Sequence, residues 1–125
     1  MRKFNLKSLF KKQSSPDFQY SRLEYVSSIA ELPKELGDSI FIVKRGKIDR
    51  WVVFKCPNNC GNRVEVNLMK NQYPFWRLKV KGNKVTLSPS IIVEGCNAHF
   101  WLTESRVEWF KFENKDYYER ANDKH

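Results

Sequence analysis

The sequence predicts an all-β fold, mostly antiparallel, made of small hairpins with short helical turns. Three observations lead there. Apolar residues either alternate with polar ones or come in short continuous runs, the patterns of half-buried and fully buried strands. Turns containing glycine separate these segments. Two close pairs of soft-ligand side chains, Cys56 with Cys60 and Cys96 with His99, fall where loops meet strands. With 125 residues the chain holds one domain with room for tails. The expected division is a basic arm over residues 1–22, a β domain over 23–113 and a polar tail over 114–125.

The arm carries Arg2, Lys3, Lys7, Lys11 and Lys12 with no acid before Asp17. Phe4, Leu6, Leu9 and Phe10 allow a weak amphipathic turn, which Pro16 ends. Residues 28–37 read as a turn or one-turn helix closed by Gly37 at its C-cap. Ile40 to Val43 and Trp51 to Phe54 are continuous apolar runs joined by the turn Arg45-Gly46-Lys47, as strands buried on both faces would be. Val64, Val66 and Leu68 alternate with Glu65 and Asn67. The clearest hairpin runs from Phe75 to Ser88: Trp76, Leu78 and Val80 alternate with Arg77, Lys79 and Lys81 and turn at Gly82-Asn83, and Val85 and Leu87 return. A last hairpin runs from His99 to about Phe112 through Thr103-Glu104-Ser105-Arg106. The charged stretch after Glu113 reads as a short helix or a frayed tail.

Composition excludes several classes. No stretch approaches the roughly eighteen apolar residues that a membrane-spanning helix needs. The N-terminus lacks the apolar segment of a secretory signal. Three cysteines, an odd and low number, do not make an extracellular disulfide framework. A cytoplasmic location is expected, where thiolates stay reduced and available to metal. The net charge of +9 permits nucleic acid, an anionic surface or an acidic protein as partner.

Zinc prefers thiolate and imidazole ligands in close pairs. Cys56-Pro57-Asn58-Asn59-Cys60-Gly61 supplies one pair on a turn-forming backbone, and Gly95-Cys96-Asn97-Ala98-His99 supplies the other. Together they predict a zinc-stapled domain, with Cys56, Cys60, Cys96 and His99 closing one tetrahedral structural site. The HExxH helix of metallopeptidases is absent, as is the histidine-x-glutamate motif of zinc deaminases.

The segment Val85-Thr86-Leu87-Ser88-Pro89-Ser90-Ile91, followed by Gly95 to Leu102 and Arg106-Val107-Glu108-Trp109, resembles a small cysteine-rich zinc-binding family of bacteria. That family is often encoded beside bacterial ubiquitin-like proteins and their activating and conjugating enzymes. The likeness covers roughly residues 33–112 and is most specific around Pro89-Ser90 and from Cys96 to Trp101. Members often carry a further cysteine inside the knuckle, where this chain has Asn58. The resemblance implies work on a ubiquitin-like modifier, its conjugates or the conjugating machinery, and makes a serine-type peptidase a live reading.

Ser90 is then the candidate nucleophile, and His99 is the one histidine inside the domain, His125 being terminal. An imidazole bound to zinc is a poor general base. Either His99 completes the metal site, or the three cysteines hold zinc with another ligand and His99 serves Ser90. A rival from another class is a non-enzymatic, zinc-ribbon-like module. Arg77, Lys79, Lys81 and Lys84 make a basic hairpin face for an acidic protein or, with Tyr73 and Phe75 stacking on bases, for nucleic acid. An ordinary solvated lysine-rich face accounts for the same four residues.

Overall fold

The computed structural model describes residues 18–110. The basic arm as far as Asp17 and the tail from Lys111 lie outside the described residues. The chain divides into two compact units, residues 17–108 and a second made of 1–16 with 109–125. Of the second, only Trp109 and Phe110 are described.

The fold is all-β. A first sheet holds, in spatial order, β1 (Arg22–Val26), β2 (Ser39–Arg45), β3 (Ile48–Lys55) and β4 (Arg63–Asn67). The second holds β5 (Arg77–Lys81), β6 (Lys84–Val93), β7 (Ala98–Thr103) and β8 (Arg106–Trp109). One pairing, β1 with β2, is parallel; β2–β3, β3–β4, β5–β6 and β6–β7 are antiparallel. The expected helical turn is a single 3-10 turn at Ile29–Glu31, and Gly37 sits at a φ of 61°, where glycine is least strained.

Burial explains the patterns. β2 and β3 are the inner strands of their sheet, and Ile40 to Val43 and Val52 to Phe54 are all buried. One face of this pair, Phe41, Val43 and Val53, packs under Leu36 with Leu32 beside it, so the loop after β1 covers what solvent would otherwise reach. That cover is why the apolar runs are continuous rather than alternating. In β6 and β7, Val85, Leu87, Ile91 and Val93 with Ala98, Phe100 and Leu102 face the core, and His99 is buried on the opposite face. Val80 was expected on the core face but is 38% exposed, because β5 is the outermost strand of its sheet.

The two sheets are joined by aromatic rings from three parts of the chain. Phe18, Tyr20, Phe54 and Phe100 form a series of edge-on contacts with centroids 4.8, 5.2 and 6.4 Å apart. Tyr20 belongs to the segment that the charge pattern grouped with the arm, yet it is 2% exposed. Its hydroxyl donates to the carbonyl of Lys55 at 2.6 Å. Residues 18–20 also run along β8: Val107 N–H donates to Phe18 O and Tyr20 N–H to Ser105 O. Ser21 N–H then donates to Asp38 O, and β1 begins. One short piece of chain thus lies on an edge of each sheet.

Removing the ring should therefore cost far more than removing the hydroxyl. Tyr20→Ala is expected to destabilise the fold by about 3–5 kcal/mol, as for other large core aromatics. Tyr20→Phe should cost about 1 kcal/mol, one net hydrogen bond. Urea unfolding followed by tryptophan fluorescence measures both.

Candidate metal centre and serine–histidine pair

The candidate metal ligands arise from two hairpin loops, one in each sheet. β3 runs directly into Cys56, whose N–H donates to Asn62 O at 3.0 Å and closes the loop toward β4. Within it Asn59 and Gly61 take φ values of 58° and 86°, which lets the chain double back and present Cys60. The second loop joins β6 to β7. Asn97 N–H donates to Val93 O there, and Gly95 at φ 95° turns the chain into Cys96. The loops approach closely, with Asn62 Nδ2 donating to Glu94 O at 3.5 Å.

This brings Cys56 Sγ within 3.6 Å of Cys96 Sγ, and the three sulfurs of Cys56, Cys60 and Cys96 lie within 4.8 Å of one another. Three thiols at that separation suit a single metal ion. Among the described residues His99 does not join the group. Burial pushes the Cys56 thiol up to about 12, although the Asn58 N–H favours its thiolate. Burial also works against ionisation of Cys60, but the Asn62 N–H and the neighbouring Cys96 and Cys56 thiols leave it below the usual thiol value. Backbone N–H groups aimed at sulfur suit bound thiolates. A cation at the centre is what would ionise the buried one.

His99 points elsewhere. In β7, Ala98, Phe100 and Leu102 face the core, so His99, Trp101 and Thr103 take the opposite face. In β6 the register shifts between Leu87 and Ile91: Leu87 pairs with Leu102, but Ile91 pairs with Phe100. The extra residues form a bulge at Ser88-Pro89-Ser90 and leave Ser90 on the same outward face as Ile92. Ile92 lies opposite His99, so Ser90 is diagonal to it. Ser90 Oγ and His99 Nε2 are 3.1 Å apart, within hydrogen-bonding distance. His99 is 8% exposed, and burial holds its pKa below the ordinary histidine value.

Trp76 supports this pair and was not singled out from the sequence. Its indole Nε1–H donates to Ser90 O at 3.2 Å and anchors the bulge from the start of β5. Alternation made it a core residue, and no spacing rule points to the carbonyl it holds. Arg77, Lys79, Lys81 and Lys84 stand on one face of the β5–β6 hairpin, where Arg77 pairs with Ser88 and Lys81 with Lys84. All are exposed except the half-buried Lys84. Tyr73 is 92% exposed, while Phe75 is half-buried.

No helix among the described residues is long and apolar enough to cross a membrane. Neither the curated proteins nor the solved structures offer a match to the chain. One family model, described as bacterial ubiquitination-like system serine protease (BubE), matches residues 28–110. The matched stretch takes in β2 to β8, both cysteine loops, Ser90 and His99. The chain belongs to the BubE family of serine proteases of bacterial ubiquitination-like systems.

Proposed function

We propose that the protein is a serine-type peptidase that hydrolyses the peptide or isopeptide bond at the C-terminal end of a ubiquitin-like modifier, with Ser90 as nucleophile and His99 as general base. The observation that carries this reading is the 3.1 Å separation of Ser90 Oγ from His99 Nε2. It lies within the reach, about 2.6–3.2 Å, at which a base can take a hydroxyl proton. Ser90 Oγ attacks the acyl carbon, and its proton passes to Nε2. The imidazolium returns that proton to the departing amine, which leaves an acyl-serine. His99 then deprotonates water, which attacks the ester and releases the carboxylate and Ser90. A histidine kept uncharged by burial is ready for this role at neutral pH.

Cys56, Cys60 and Cys96 fit zinc. Two thiolates on one tetrahedral zinc, each bound at about 2.3 Å, lie about 3.8 Å apart; the Cys56–Cys96 separation is 3.6 Å. A zinc there would tie the β3–β4 loop to the β6–β7 loop through three thiolates, with its fourth position taken by another ligand, and would leave His99 to Ser90. A second reading, a non-enzymatic module that docks an acidic protein or nucleic acid, draws on the basic row of Arg77, Lys79, Lys81 and Lys84. None of the four takes part in an ion pair among the described residues.

Ser90→Ala and His99→Gln should each lower cleavage of a tail-extended ubiquitin-like fusion by roughly 10⁴-fold or more, as for other serine–histidine pairs. Both should keep the zinc content of the unmodified chain. Loss of zinc in His99→Gln alone would return His99 to the metal. Intact fusion with every chain, together with steeply salt-dependent binding to an oligonucleotide or an acidic protein, would favour the second reading.

The pH profile has a defined sign. His99 must be uncharged to act, and its pKa lies below the usual value of about 6.5. kcat/KM should rise with pH through a single step below about 6.5 and stay level through neutrality. A midpoint well above that value would rule out His99 as the base.

Metal removal should act on stability. Cys96→Ser, or a strong chelator, should abolish stoichiometric zinc and lower the melting temperature by ten degrees or more, on the order of a lost structural ligand. Elemental analysis with a thermal melt on the same sample decides it.

A further inference from the structure

A groove of about 570 Å³ lies between β4 and the second half of β6, beside Trp76. Val64 and Val93 belong to its lining, along with Pro74, Trp76 and Ile92, and Glu94 stands at one end. Both long walls are strand edges with unpaired backbone. In the β3–β4 pair, Cys56 N–H donates to Asn62 O and Leu68 N–H to Arg50 O, so even-numbered residues of β4 bond to β3. Odd-numbered residues therefore turn their N–H and C=O outward. Asn67 confirms the phase, since its carbonyl accepts from Trp76 N–H. The N–H and C=O of Arg63 and Glu65 remain directed away from β3, and among the described residues no strand pairs with them.

The opposite wall has the same character. β5 pairs with β6 only as far as Arg77 with Ser88. Beyond that point β6 is bonded to β7 on one side alone. The carbonyl of Ser90 faces away from β7, since it accepts from the Trp76 indole, and alternation turns Ile92 the same way. Ile92 is 62% exposed.

We infer that this groove binds an extended segment of the protein substrate as an added strand along β4, which leads its scissile bond to Ser90. This rests on the peptidase reading for what happens at Ser90, but the binding step stands apart from it. The outward groups of Arg63 and Glu65 on one wall and of Ile92 on the other are satisfied by a chain in extended conformation, which offers donors and acceptors on both sides. A helix offers none, and a small polar molecule cannot follow a row. Side chains of an added strand alternate between the two faces of the sheet. One set meets Val64 and Val93 and must be apolar. The other set lies along the surface with Arg63 and Glu65, which neutralise each other at 2.9 Å and add no net charge. Continuity with the site comes from β6 itself: Ile92 and Ser90 are two residues apart on one outward face. The specificity that follows is for an unfolded segment with an apolar residue at every second position, next to the bond that is cut.

The test uses the full-length chain carrying Ser90→Ala, which cannot turn over, and a mixed library of fluorescein-labelled decapeptides. Retained peptides are sequenced and titrated by fluorescence anisotropy. They are expected to share apolar residues at a spacing of two. Ile92→Glu, at an exposed position, and Glu65→Pro, which deletes an outward N–H and leaves the β3 bonds intact, should each weaken binding at least tenfold. N-methylation of alternate peptide amides should do the same in one phase and not in the other. The proposal is overturned if no peptide is retained, or if retention ignores both substitutions in variants that melt like the parent. It is also overturned if the groove is filled by a second copy of the chain, seen as a dimer that Ile92→Glu dissociates. Groove-dependent binding without cleavage by the unmodified chain would leave the inference standing and remove the peptidase reading. Cleavage indifferent to the groove variants would do the reverse.

Discussion

The meeting of two hairpin loops at Cys56, Cys60 and Cys96 is the constraint on which the rest of the molecule depends. The first two residues hang from the β3–β4 turn and the third from the β6–β7 turn, so the cluster joins the sheets at their tips. Away from the tips they are joined by rings, Tyr20 against Phe54 and Phe54 against Phe100, and by the segment of residues 18–21 that bonds to an edge of each. A domain this small has a thin core, and fixing one end of a two-sheet stack limits the sliding that a thin core tolerates poorly. The constraint reaches chemistry because the hairpin that ends in Cys96 also carries Ser90 and His99 on its strands. Anything that fixes the loop fixes the relative register of those two side chains.

The same hairpin separates two uses of neighbouring residues. Cys96 and His99 are three positions apart, which is ligand spacing, and in many small domains both would bind one ion. Here a strand begins at Ala98, and strand alternation turns Ala98 and Phe100 into the core and His99 out of it. Cys96, still in the loop, reaches the thiols; His99 reaches Ser90. Local secondary structure, more than spacing, decides which way each side chain goes.

This marks how much was legible in the chain. Alternation, continuous apolar runs and turn residues located seven of the eight strands, because each strand buries one face or two against a neighbour close in sequence, but β6 runs on to Val93, past Ser88, where the predicted hairpin ends. The remaining strand, β1, pairs in parallel with β2 across a loop, and its exposed Tyr25 and half-buried Leu23 give no clear period. Tyr20 was hidden by its setting, a polar segment behind a charge run, although its ring fills the centre of the core. The cysteine cluster was readable because ligand chemistry leaves few alternatives for paired soft donors. The Ser90–His99 approach was readable only as one of two options, since it depends on a register shift that spacing does not reveal. The groove beside β4 was not readable, because an unpaired edge becomes visible only once every strand has been given its neighbours.

The bulge at Ser88-Pro89-Ser90 carries one more implication. Along an extended chain, orientation is a matter of odd and even. Losing a single residue from this bulge, with β7 left in place, would exchange inside for outside from Ser90 to Val93, sending the hydroxyl inward and a valine outward. Losing or gaining two would preserve parity but move the hydroxyl one pleat along the strand, away from the imidazole. The length of this short stretch is therefore restrained more tightly than its composition: natural variation can change which residues build the kink far more freely than how many there are.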